Sequence, residues 1–250
     1  PVGKLAGLGF AGLPASMNID EPASAGGGSG RLGRWVARAW RDNRNFLALL
    51  CAIVFFKSAI ADLSSISGAS MLPTLVDGDK VWVNKLAYDV KVPFTDVSLG
   101  RVSDPVRGDI VIIDSSRAGK RLVKRIVGVP GDRIEIQNNA LIINGKPVDY
   151  EVLSREGGTM IIEEALPGRN HQVRLTRYLM GASSRSHGPV EVPGDRFFVL
   201  GDNRNSSADS RVYSFIPRGE IIGRSRSVVF SLDSGNFYLP RGGRFLAGLE

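Results

Sequence analysis

The sequence predicts a mainly β domain that carries a small inserted cap and follows one N-terminal transmembrane helix. Three observations predict it. A short turn pattern recurs before alternating apolar stretches, one polar interval breaks that rhythm, and an apolar run lies behind a stripe of arginines. With 250 residues, 43% of them apolar, the chain holds one sizeable domain with a full core.

In chain order, residues 1–30 have the composition of a flexible segment, with PASAGGGSG near their end. Residues 31–45 form a basic juxtamembrane segment. Arg31, Arg34, Arg38, Arg41 and Arg44 recur every three or four residues, so a helix here carries its arginines on one side. Trp35 and Trp40 lie between them, and arginine beside tryptophan suits a lipid headgroup layer better than an ordinary solvated helix. The net charge of +7 is therefore assigned to membrane lipid as partner and not to nucleic acid.

The run FLALLCAIVFF, 46–56, reaches only ~16 Å as a helix against a ~30 Å hydrocarbon core. Extension through KSAIADL to Leu63 gives ~27 Å but takes in Lys57 and Asp62. A transmembrane anchor over 46–63 is expected, with a buried core helix as the alternative. The arginines on its N-terminal side place that end inside and everything after Leu63 outside. The single cysteine, Cys51, excludes an intrachain disulfide, and no Cys/His spacing suits a metal. No cofactor is expected.

Beyond Leu63 the pattern VDGD (76–79), VRGD (106–109), VPGD (129–132) and VPGD (192–195) recurs. Glycine supplies the turn, and KVWV, IVII, RIEI or RFFV after it reads as a strand. Asn144-Gly145 marks a hairpin, and RSVVFSL (226–232) a further strand. Residues 64–149 and 193–250 are expected to form the β domain. The polar interval 150–192, which holds both histidines, is read as the cap.

Ser70 in SGASMLPTL raises the question of a nucleophile, which needs a base to activate it. His171 and His187 lie in the polar interval with no orienting motif. Lysine serves if burial lowers its pKa from ~10.4. In RLVKRIVGVPGD, Lys124 shares a strand face with Leu122 and Ile126, while Arg125 points away with Val123 and Val127. An edge-strand lysine on the surface is the competing reading of that window alone.

SGASMLPTL, RGDIVII, KRIVGVPGD and GDNRNSSADSR, in this order after an N-terminal anchor, resemble the type I signal peptidase (leader peptidase) family. The likeness covers roughly 46–145 and 193–232. It implies a membrane-tethered serine endopeptidase with a Ser-Lys dyad in a signal-peptidase-like β fold, cleaving precursors after small residues. Ser70 matches the nucleophile, its backbone N–H an oxyanion donor, and Lys124 the general base. Ser207 matches a serine that orients the lysine amine, and Arg125, Asp209 and Arg211 match supporting residues. Gly68 stands where some members have a serine that is a second oxyanion donor. Ile66, Gly68, Met71, Leu75 and Val123 match or adjoin positions that line the substrate pocket.

The resemblance further implies signal-peptide-bearing precursors as partners. It also implies a single-pass protein of the bacterial inner membrane, its N-terminus cytoplasmic and its catalytic domain on the outer side. Two other readings fit the chain. One is a dedicated pilin or conjugative-transfer processing peptidase of the same superfamily; the other is an inactive, membrane-anchored peptide-binding β module.

Overall fold

A computed structural model describes residues 43–54, 60–92, 95, 97–177 and 184–249. Helix α1 covers 43–54. Strands follow as β1 (Ala61–Ser65), β2 (Asp79–Asn84), β3 (Asp89–Lys91), β4 (Ser98–Arg101), β5 (Ile110–Ser115) and β6 (Lys120–Gly128). Next come β7 (Arg133–Gln137), β8 (Ala140–Ile143), β9 (Lys146–Pro147), β10 (Asp149–Glu156), β11 (Thr159–Leu166) and β12 (Arg169–Thr176). The last are β13 (His187–Glu191), β14 (Arg196–Leu200), the one-turn helix α2 (Ser210–Tyr213), β15 (Ile216–Pro217), β16 (Ile221–Asp233), β17 (Leu239–Pro240) and β18 (Ala247–Gly248). The expected mainly β class holds.

The largest sheet runs in the order β1-β2-β16-β5-β6-β14-β15, with β17 and β18 also on β16. A four-stranded sheet, β13-β7-β8-β9, and a three-stranded one, β10-β11-β12, stand beside it. Residues 150–192 thus divide: most form β10–β12, but β13 pairs with β7.

The recurring turns explain the strand spacing. At Gly78, Gly108 and Gly131 φ is +90°, +88° and +85°, a left-handed conformation that suits glycine. The aspartate after each glycine donates its backbone N–H to the carbonyl of Val76, Val106 or Val129, at 3.1, 3.2 and 3.0 Å. Its carboxylate then accepts the N–H of that same valine, at 2.9, 3.3 and 2.7 Å. One aspartate therefore closes each turn twice. The fourth copy differs from the expectation: its hydrogen bond runs from Arg196 to Pro193, and Asp195 itself takes φ +59°. Asn144-Gly145 forms the expected two-residue hairpin, both residues at positive φ and Ile143 opposite Lys146.

Three apolar clusters fill the interior. One joins Val111, Ile113, Leu122, Ile126 and Val199; a second joins Val127, Ile134, Leu141, Phe198 and Leu200. The third joins Ile66, Met71, Leu75, Val81, Ile110 and Val228. At roughly 1.5–3 kcal/mol per fully buried large side chain, these clusters hold the sheets together.

The anchor expected over 46–63 is corrected at its C-terminal end. Ala61–Ser65 is strand, antiparallel to β2, with Ala61 and Ser64 buried and Leu63 exposed. Asp62 lies 4.0 Å from Lys85 and 3.9 Å from Arg121, cations that a lipid-embedded carboxylate would lack. Among the described residues, no helix is long and apolar enough to cross a membrane. The flexible segment 1–30, the arginine stripe before residue 43, and residues 55–59 of the expected anchor lie outside the described residues.

Candidate active site

The segment after β1 leaves the sheet and returns to it as β2. Its base is closed by Ile66 N–H to Asp79 O at 2.8 Å and Gly78 N–H to Ile66 O at 3.1 Å. Within it Leu72 donates to Ala69 O and Leu75 to Met71 O, winding the chain into a tight turn. Met71 and Leu75 drop into the apolar cluster below and leave Ser70 half-buried at the rim.

Lys124 meets Ser70 there. It lies mid-strand on β6 opposite Val111, on the face that carries Leu122 and Ile126, and is 3% exposed. Its Nζ donates to Ser70 Oγ at 2.8 Å and to Val123 O at 2.9 Å. Burial, the largest influence, lowers its pKa from 10.5 to about 8; Asp209 and Asp202 oppose that shift, and Lys120 and Arg211 add to it. The amine is thus neutral in part near neutral pH and can take a proton from the hydroxyl it touches.

The segment 201–211 fixes the other side. Asn203 donates its backbone N–H to Ser70 O at 3.0 Å and its side-chain amide to Ala69 O at 2.9 Å. Asp202 accepts both Nε and Nη2 of Arg125, at 2.9 and 2.7 Å, and the hydroxyl of Thr74 at 2.5 Å. Burial alone would raise the Asp202 pKa, but the Arg125 guanidinium holds it below the usual carboxylate value. Arg125 also donates to Gly108 O at 2.9 Å. Asp202 therefore ties the strand of Lys124 to the turn of Ser70.

Ser207 is buried against Gly201, where a methyl group would collide with Ser207 Oγ and Ser70 O. Asp209 caps α2 and accepts Gly201 N–H at 3.1 Å. Arg211 donates to it through Nε at 2.8 Å and Nη2 at 2.7 Å, and reaches Arg204 O and Ser184 O.

A groove of about 380 Å³ opens beside Ser70, lined by Ser64–Met71, Lys120–Lys124, Ser206 and Ala208. Ile66, Gly68, Met71 and Val123 all lie on it. Leu75 does not: it is fully buried in the cluster beneath. Gly68, at φ +89°, has open space where a Cβ would stand, and its N–H donates to Asp77 at 3.0 Å. The histidines lie elsewhere. His171 is buried between Glu164 and Asp202, and the His187 ring packs against Phe198.

Sequence reasoning missed Thr74, Gly201, Asp202 and Asn203. All four sit inside SGASMLPTL and GDNRNSSADSR, so the signal was their place in those blocks.

The family model described as signal peptidase, peptidase S26, matches residues 40–230. Signal peptidase I of Pseudomonas fluorescens is 30% identical over 75% of this chain and 71% of its own. Signal peptidase I T of Bacillus subtilis is 34% identical over 74% of this chain and 79% of its own. A solved signal peptidase I from Enterococcus faecalis is 29% identical, covers 49% of this chain and 97% of its own, and has a TM-score of 0.32.

Proposed function

The chain belongs to the type I signal peptidase family, and we propose that Ser70 and Lys124 are its catalytic dyad. It is a serine endopeptidase that removes signal peptides from precursor proteins. The observation that carries the dyad is the 2.8 Å contact between Lys124 Nζ and Ser70 Oγ, made by an amine buried among apolar strands.

Neutral Lys124 takes the Ser70 proton as Oγ attacks the scissile carbonyl, then returns it to the leaving amine. Water, deprotonated by the same amine, hydrolyses the acyl-enzyme. The Ser70 backbone N–H donates to the oxyanion. Val123 O holds the amine in place, and the buried Ser207 beside Ser70 O supports its orientation.

Two strand edges flank the groove. β1 ends its sheet, and β14 pairs with β6 only from Arg125 onward, so Lys120–Lys124 has no β14 neighbour. An extended precursor fits between them by main-chain pairing. Ile66, Met71 and Val123 then form shallow apolar walls that favour small side chains before the cut.

The membrane part of the proposal rests on the arginines and the apolar run. It sets the N-terminus inside the bacterial cytoplasmic membrane and the catalytic domain outside. Ser70 follows Ala61, the start of β1, by nine positions, which keeps the site near the surface where a tethered precursor emerges.

Incubating the full chain in lipid vesicles with a precursor whose signal peptide ends Ala-x-Ala tests the reading. Wild type should release the mature product, and Ser70→Ala and Lys124→Ala should each abolish release while keeping the fold. Cleavage by either variant would sink the dyad.

A further inference from the structure

Strands β10–β12 contribute no residue to the groove, yet they send a buried charged cluster towards it. Glu164, on β11, is fully buried and accepts Arg204 Nη1 and Nη2 at 2.7 and 2.5 Å and the Tyr150 hydroxyl at 2.8 Å. His171, opposite it on β12, is 4% exposed. Its Nε2 lies 3.4 Å from Glu164 Oε1 and 3.8 Å from Asp202 Oδ1. Backbone contacts run the same way. Arg174 donates its N–H to Asp202 O at 2.8 Å and bridges Asn203 in parallel, and Asn205 donates its side-chain amide to Thr176 O at 2.5 Å. Apart from the Tyr150 and His171 approaches to Glu164, these contacts end on residues 202–205.

That short segment holds the nucleophile. Asp202 grips Arg125 and Thr74, and Asn203 grips the carbonyls of Ala69 and Ser70. From β12 to Ser70 the path runs through the Asp202–Asn203 peptide, entered by the Arg174 N–H bond to Asp202 O at 2.8 Å and left by the Asn203 N–H bond to Ser70 O at 3.0 Å.

We propose that the sheet β10–β12 is a positioning element for the dyad, acting through His171 and Glu164 on the segment 202–205. The chemistry fits that role better than simple stability. A buried Glu-Arg pair is seldom more stable than an apolar core of the same volume, but it fixes one relative orientation of the elements it joins. His171 occupies the space between two carboxylates, its Nε2 facing Glu164 Oε1 and Asp202 Oδ1, the oxygens that also accept Arg204 Nη2 and Arg125 Nε. There a neutral imidazole separates like charges; its ring nitrogens make no hydrogen bond among the described residues, and Nε2, 3.4 Å from Glu164 and 3.8 Å from Asp202, needs only a small shift to donate to either. Burial, followed by the Arg125 charge, lowers its pKa to about 4, so it stays neutral at working pH. An apolar side chain in that place leaves Asp202 free to shift, and Arg125 and Thr74 with it. Displacements of about 1 Å at a catalytic group cost up to ~100-fold in rate.

The inference rests on the Ser70–Lys124 reading, and its test separates the two. The full chain is assayed in vesicles on a peptide with alanines before the cut, measuring kcat, KM and thermal unfolding. His171→Leu should lower kcat about tenfold with KM within about twofold, because the groove residues are untouched. His171→Gln, which keeps a donor, should recover most of that kcat, and Tyr150→Phe should give a smaller loss of the same kind. Wild-type kcat in a folded His171→Leu, or no recovery by His171→Gln, would overturn the proposal. If His171→Leu fails to fold, an unchanged kcat in Tyr150→Phe overturns it. An active Ser70→Ala enzyme would remove the dyad reading itself, and this inference with it. An inactive Ser70→Ala beside a fully active His171→Leu would remove the inference alone.

Discussion

The backbone N–H of Asn203 donates to the carbonyl of Ser70 at 3.0 Å. Ser70, the proposed nucleophile, is thus held by a segment more than a hundred residues further along the chain. The site is a junction of two turns and one strand, and changes in either turn reach the chemistry.

Gly201 is the most crowded point of that junction. Any Cβ there meets Ser207 Oγ, Ser207 Cβ and the Ser70 carbonyl, and the last is backbone that cannot rotate aside. Gly201→Ala is expected to cost about 1–3 kcal/mol in stability and to lower kcat by roughly 100-fold or more. Thermal unfolding and peptide cleavage check this; a variant with wild-type kcat would mean that Ser70 tolerates the displacement.

Asp202→Asn strands Arg125, which is 1% exposed, as an uncompensated buried cation. Breaking a buried pair from one side costs about 3–5 kcal/mol, whereas replacing both partners by apolar groups is often close to neutral. Asp202→Leu with Arg125→Met should therefore regain much of the stability lost by Asp202→Asn without regaining activity. Recovery of cleavage in the double variant would show that the pair contributes nothing beyond stability.

The repeated turns and the strands behind them are legible in the sequence because each is made within four residues: Val, a turn residue, a left-handed Gly and an Asp that closes on the same Val. The contact between Lys124 and Ser70 is legible from two short blocks and from the apolar neighbours of Lys124. The fourth turn is not, since Asp195 occupies the left-handed place that Gly takes in the other three. Nor is the start of β1, because SAIADL reads equally as the end of an apolar helix and as an alternating strand; pairing with β2 decides. Leu75 reads as a pocket residue because it matches or adjoins the pocket positions that the family resemblance implies, but the Met71–Leu75 turn points it into the core. Asp202 and Asn203 lie inside a legible block, but their partners Arg125 and Ala69, like the Arg204 partner of Glu164, are far away in sequence, and no local pattern names them.

Lys124 carries a stability cost that the sign of its shift makes visible. Its folded pKa is about 8 against 10.5 for the free side chain. Below pH 8 both states hold the proton and the cost is fully present. Between 8 and 10.5 the unfolded chain binds more protons, so wild type gains stability as pH rises. Lys124→Met should be inactive and more stable than wild type at pH 7, by roughly 3 kcal/mol at most, with the gap closing towards pH 10. Thermal unfolding at both pH values checks it; a gap that stays constant would mean that Lys124 titrates as a free lysine.

The most direct test of the dyad is kcat/KM against pH for the full chain in vesicles, on a peptide with alanines before the cut. With Lys124 as base, the rate should rise through a single ionisation near 8 and gain about tenfold between pH 7 and pH 9. The double variant His171→Gln, His187→Gln should keep that ionisation. An acid limb near 6.5 that vanishes with the histidines, or a limb that stays in place in Lys124→His, would contradict the account.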